Sequence, residues 1–172
     1  EMSDNDTIEK FCYNDDPDVC EDYGALYYWS EAMLYVTEEG ARGICPPGWH
    51  IPTHEELKIL EGLADNMYHI GDPEWDIYDN YRGFDAGRNL KSSHNWLAGG
   101  HGPDEHGFRA MPGGAQGLGY FSGIQEHAVM WTSTEHSDLK ALFLSLGYNS
   151  TQSYRLYTMK TTGRSIRCLR DF

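Results

Sequence analysis

Four cysteines constrain this chain more than any other feature: Cys12 and Cys20 lie eight residues apart, Cys45 and Cys168 lie 123 apart. Cys12 and Cys20 bracket the acidic, turn-prone run Asn14-Asp15-Asp16-Pro17-Asp18 and can close a small local loop. Four cysteines allow three connectivities, and spacing alone does not choose among them. Pairing Cys12–Cys20 with Cys45–Cys168 is favoured, because a neighbouring pair across a turn meets at low loop-closure cost. The long bridge removes about 4–5 kcal/mol of unfolded-state entropy in the chain model, less any strain. An even cysteine count beside tryptophan-rich segments fits an oxidising compartment, hence a secreted or cell-surface protein. The alternative is four reduced structural thiols in a cytosolic one.

At 172 residues the chain fits one domain with a substantial core. Nineteen glycines and 23 aromatics point away from a helical bundle, toward a loop- and strand-rich fold. No apolar run reaches the roughly 18 residues a membrane span needs. The chain begins at Glu1 without an initiator Met or a signal-peptide pattern, and reads as a mature or trimmed form. Residues 1–86 carry 4 basic and 21 acidic side chains, and residues 87–172 carry 9 and 6. With no dense basic stripe to neutralise phosphates, nucleic acid is excluded as a partner.

Residues 1–22 read as an acidic, turn-rich arm pinned by the first cysteine pair. Leu26, Trp29, Met33 and Val36 recur at three- and four-residue steps, predicting a helix over 25–36 that Gly40 and Gly43 end. Thr53 followed by Glu56 signals a capping box for a second helix, with Leu57, Leu60 and Leu63 on its buried side. Residues 66–106 read as loop with one helical turn near Arg88–Lys91. Thereafter the period shortens, and segments 108–111, 118–124, 128–133, 141–146, 153–159 and 164–169 predict strands. Helices first and strands later in a disulfide-tied domain mean an α+β fold.

Six segments taken in order resemble the Fibrobacter succinogenes major paralogous domain, a family of bacterial surface and secreted proteins. They are Phe11–Asp16, Cys20 with Tyr23–Trp29, Arg42–Thr53, Gly107–Gly114, Met130–Glu135 and Arg164–Asp171. The resemblance implies a C-type-lectin-like fold: two helices packed on a twisted, mainly antiparallel sheet, with long loops forming a binding face. One departure stands out. The family's usual first strand has no counterpart in Glu1–Lys10, which shows no apolar alternation. Either the chain is trimmed, or another segment replaces that strand. An unreplaced strand would leave a sheet edge open to self-association.

His50 and His54 invite a zinc-protease reading that fails on spacing, because Pro52 separates them and Lys58 stands where the second helical His is needed. His94, His101 and His106 with Asp104 and Glu105 form the densest group of ligand types, best explained as an acidic turn. Calcium, which takes six to eight oxygens, is the ion such loops suit, with Asp72, Asp76, Asp79, Asp104 and Glu105 as candidates. No nucleophile elbow or phosphate loop is present. The related formylglycine-generating enzymes need active-site cysteines, whereas all four here read as structural. Trp131-Thr132-Ser133 falls where sugar-binding lectins place a Trp-Asn-Asp calcium motif, and it lacks those ligands. Asn5 and Asn149 open glycosylation-type triplets.

The most binding-like composition is Tyr148–Tyr157, where Tyr, Ser and Asn with an Arg supply rigid, amphipathic contacts. Alternation sends Tyr154 and Leu156 one way and Ser153, Arg155 and Tyr157 the other. The expected function is non-enzymatic recognition of a glycan or protein. It would use Glu135, His136 and Asp138 together with Tyr148, Asn149, Tyr154, Arg155 and Tyr157. The alternative is a structural subunit of a surface polymer that assembles through the open sheet edge.

Overall fold

The computed structural model describes residues 4, 5 and 7–171. Glu1–Ser3 and Asp6, part of the segment expected to lack a strand, lie outside the described residues. In chain order the elements are α1 (Pro17–Tyr23), α2 (Trp29–Ala32), β1 (Trp49–His50), α3 (His54–Ala64), β2 (Tyr81–Arg82) and α4 (Ala86–Asn89). They continue with β3 (Gly113–Gly117), β4 (Tyr120–Ile124), β5 (His127–Ser137), β6 (Lys140–Gly147), β7 (Ser153–Met159) and β8 (Leu169–Arg170). This is a mixed α/β architecture with short helices and antiparallel-rich sheets. Both expected disulfides form, Cys12–Cys20 and Cys45–Cys168. No described helix is long and apolar enough to cross a membrane.

The main sheet runs β2-β7-β6-β5-β3-β4, and β1 pairs separately with β8. All neighbours are antiparallel except β3 against β5, joined at Gly114 and Ala128. Registers align Trp131 with Phe143 and Leu156 on one face, and Met130 with Leu144 and Arg155 on the other. Each face carries its own core. Val129, Trp131, Ala141 and Phe143 pack with Trp29, Ala32, Met33 and Ile51. Ala128, Met130, Leu144 and Leu146 pack with Leu57, Trp75, Leu90 and Trp96. Burial on both sides explains why β5 and β6 read as nearly unbroken apolar runs. Each such side chain contributes roughly 1.5–3 kcal/mol.

α3 starts as its sequence dictates. Thr53 Oγ1 accepts from the Glu56 N–H at 3.1 Å, and Glu56 Oε2 accepts from the Thr53 N–H at 2.8 Å. Leu57 is buried and Leu60 packs against the core as expected, but Leu63 is 56% exposed, and Glu61 and Ala64 complete the buried side instead. The i, i+4, i+7 set keeps one helical face, whereas a repeat of three drifts around the helix.

The predicted 25–36 helix shrinks to α2. Leu26 and Tyr27 are extended and take bridge partners, Phe11 and Arg164. At the other end Leu34 and Tyr35 adopt φ of 51° and 59°, terminating the helix well before Gly40. Gly43 has a different task, because a Cβ there would stand 2.3 Å from the Ala32 carbonyl oxygen. The acidic arm is more ordered than its turn-rich composition implied: α1 lies within it, opened by Asp16 and Pro17. Segment 108–111 makes only the Lys91–Ala110 bridge, and glycine-rich β3, without β-branched residues, escaped the pattern.

The open edge expected beside the C-terminal strand is closed. Tyr27 and Arg164 exchange both backbone bonds (2.8 and 3.0 Å), and Ser165 bonds Val129 and Trp131 on its other side. Phe11 continues the ladder through Leu26. Among the described residues Tyr27 thus lies along that edge, and the outer strands of the main sheet are β2 and β4.

The Cys45–Cys168 bridge ties the β1 approach to the last strand beside the Trp131 core. Replacing both cysteines by alanine is expected to cost about 2–5 kcal/mol in urea unfolding, with the m-value rising as the unfolded chain expands.

Candidate functional site

Three buried charges lie between α3 and β7. Glu61 Oε2 stands 3.1 Å from Arg155 Nε and its Oε1 stands 3.8 Å from Arg82 Nη1, with all three side chains at most 1% exposed. These contacts pair the charges without directing either N–H onto the carboxylate. The Ser153 hydroxyl donates to Glu61. Burial raises the Glu61 carboxyl against the pull of Arg155, Ser153 and Arg82, and lowers both guanidiniums, Arg82 to about 10. Desolvation of this size is offset only where the partners meet.

The two guanidiniums also hold the loop that follows Trp75. Arg155 Nη2 donates to the Trp75 carbonyl. Arg82 donates to the carbonyls of Ile77 and Asn80, each at 2.9 Å. Residues 75–80 are thereby fixed against the sheet edge, with Tyr78 beside Tyr157.

That placement builds an aromatic surface. The His136 ring lies on Tyr157 at 3.7 Å and 5°, and Tyr78 stacks offset at 6.1 Å. Lys140 Nζ sits 4.9 Å from the Tyr157 centroid. The loop also exposes Ile77, Tyr78 (42%) and Phe84, while exposed Tyr81, in register with Tyr154, belongs to the opposite face of the sheet. Tyr81 leans on Tyr154, whose hydroxyl donates to Asp79 at 2.9 Å. Sequence reasoning missed Lys140 at the start of β6, and also Tyr78, Tyr81 and Phe84, which fall in the 66–106 stretch that reads as loop. Its four large apolar residues within eight positions were the available signal.

The residues expected to bind do not form one set. His136 and Tyr157 meet, with exposed Asp138 in the adjoining β5–β6 turn. Glu135 instead pairs with Lys160. Arg155 is buried in the charge cluster, so the expectation that it meets a ligand is corrected: its alternation face lies under α3. Tyr154 belongs to the opposite face of β7. Tyr148 and Asn149 stand at the other end of that strand, where Tyr148 packs on the core and Asn149 is exposed. Lys91 fixes that loop from beneath by donating to the Ser150 carbonyl at 2.7 Å, and burial lowers its ammonium to about 8.

The calcium candidates are spread out and engaged. Asp72 caps the turn Pro73–Asp76, Asp76 pairs with Lys58 at 2.6 Å, and Asp79 accepts from Tyr154. Asp104 accepts from the Arg109 N–H, and Glu105 is exposed beside it. Among the described residues no three His, Cys, Asp or Glu side chains gather as a metal site. His50 bridges Glu56 and Asp171, while His54 faces Arg155 at 3.2 Å. A cavity of about 720 Å³ between α1 and the C-terminal segment mixes Glu21 and Asp22 with Arg109 and Arg167.

Glu61→Gln leaves two buried guanidiniums without a counter-charge and is expected to cost about 3–5 kcal/mol in urea unfolding. Burial and Arg155 lower the His54 imidazole to about 4, below its ordinary 6.5. The unfolded chain therefore takes that proton first, so this stability is complete above pH 6.5 and lost as pH falls toward 4. Thermal unfolding of His54→Gln is expected to decline less over that window than the parent does. Equal declines would contradict the assignment.

Residues 1–170 match the family model of the Fibrobacter succinogenes major domain. No curated protein and no solved structure matches the chain.

Proposed function

The chain belongs to the Fibrobacter succinogenes major domain family, and from that premise we propose that it is a non-enzymatic recognition domain of C-type-lectin-like fold. It acts outside the cytoplasm and binds a glycan or a protein surface. The observation that carries this reading is the stack of Tyr78, Tyr157 and His136 beneath Lys140, standing at a sheet edge. Stacked rings lose little conformational freedom on binding, and their faces suit both sugar C–H groups and apolar protein side chains. The loop bearing Tyr78 is held by buried guanidiniums, so the surface is organised before any ligand arrives.

Several features support the wider reading. Two disulfides in one short chain suit an oxidising compartment. An antiparallel-rich sheet with few, mostly short helices and the middle of the chain bridged to its end suits the lectin-like fold. The polymer reading is weakened by the closed C-terminal edge.

A glycan array and an extracellular-protein library, followed by calorimetry on each hit, test the proposal. Tyr78→Ala and Tyr157→Ala are each expected to weaken binding by roughly tenfold or more, about 1.4 kcal/mol. Hits that bind Tyr78→Ala and Tyr157→Ala as tightly as the parent would move the site elsewhere. A stable oligomer in light scattering, disrupted by a proline in β4, would instead favour assembly.

A further inference from the structure

On the sheet face opposite the Tyr157 stack, a groove of about 460 Å³ runs between the β3–β4 hairpin and the end of β7. By alternation its Val129 and Thr158 belong to the Trp131–Phe143–Leu156 face. Leu118, Tyr120 and Met159 add apolar walls. The volume falls within the usual range for small-molecule sites.

Among the described residues, two polar side chains lining this groove lack partners. The Arg164 guanidinium lies 4.4 Å from the Phe143 centroid and 5.4 Å from that of Trp131. Its Nε is sealed from solvent without an acceptor. Among the described residues no carboxylate pairs with Arg164, and burial alone lowers it, to about 10, leaving it charged at neutral pH. Gln116, 8% exposed, has a buried Oε1 without a donor.

Four of the other cations each meet an oxygen partner. Arg82 and Arg155 share Glu61, Lys160 meets Glu135, and Lys91 donates to two carbonyls. An aromatic face attracts a cation but accepts none of its directed hydrogen bonds. Leaving a buried polar group unpartnered is costly, more so when it is charged. Arg164 is also fixed in place, because its backbone is bonded to Tyr27 through both N–H and carbonyl.

We infer that this groove binds a small organic carboxylate bearing an adjacent hydroxyl or amide donor. The carboxylate meets the planar fork of Arg164, which matches its two oxygens. The polar group beside it meets the Gln116 side-chain amide, and the apolar walls take the carbon skeleton. A neutral molecule leaves the guanidinium unanswered, so the site discriminates by charge. This site is separate from the Tyr157 surface and stands or falls independently of it.

The test titrates labelled protein with glycolate, lactate and glucuronate, each beside its neutral twin: ethylene glycol, propane-1,2-diol and glucose. The readouts are the Arg164 Nε–H, the Gln116 side-chain amide and the Gly117 and Gly163 backbone amides. At least one carboxylate is expected to give saturable shifts in the millimolar range or tighter, with its neutral twin at least tenfold weaker. Arg164→Gln is expected to abolish the response. Should that variant unfold, Thr162→Glu places a negative charge in the wall and leaves Arg164 intact. It is expected to weaken carboxylates at least tenfold and glucose not at all. Carboxylates and neutral twins that bind alike, a panel that gives no saturable shift, or a folded Thr162→Glu protein that binds as the parent does would each overturn the assignment.

Discussion

The contact of Glu61 with Arg155 and Arg82 is the constraint on which this structure's working surface depends. A carboxylate and two guanidiniums are removed from water together, at a cost that only mutual pairing and added hydrogen bonds offset. Those added bonds determine the surface. The same guanidiniums take the carbonyls of Trp75, Ile77 and Asn80, so the charge cluster under α3 also shapes the loop outside it. Tyr78 meets Tyr157 because Glu61 meets Arg155. Buried ion pairs are weak evidence for stability, and this one is better understood as fixing which way a polar loop lies.

Arg164 follows the opposite logic on the other face of the sheet. Among the described residues it has aromatic neighbours but no counter-charge, and it lines a groove instead of anchoring a loop. The sheet thus separates two kinds of cation: a pair that shares a carboxylate within the fold, and one with no carboxylate beside it among the described residues. Both rest on a frame closed by covalent and backbone links, with Cys45–Cys168 and the Tyr27–Arg164 ladder joining early and late segments.

Much of the frame was legible along the chain. The capping box at Thr53 and Glu56 marked the start of α3, and the limits of β7 matched its alternation, since both signals are local. Glycine-rich β3 was invisible, because it is a strand by virtue of neighbours and not of side-chain type. The helical period over 25–36 misleads for a related reason. Leu26 and Tyr27 satisfy a helical period, yet Phe11 and Arg164 offer them extended partners from distant parts of the chain. Alternation separated Arg155 and Tyr157 from Tyr154, but it did not reveal that α3 covers the first and stops short of the second.

The sequence by itself determined the family, the disulfide-compatible spacing, the placing of the helices ahead of the long strands, and the aromatic richness from which a binding surface is made. Only the tertiary structure decided which aromatics meet and which cations are paired. A carboxylate 94 residues from Arg155 in sequence lies 3.1 Å away in space. Desolvation, which makes such a contact necessary, depends on what covers a side chain, and no local pattern records that cover.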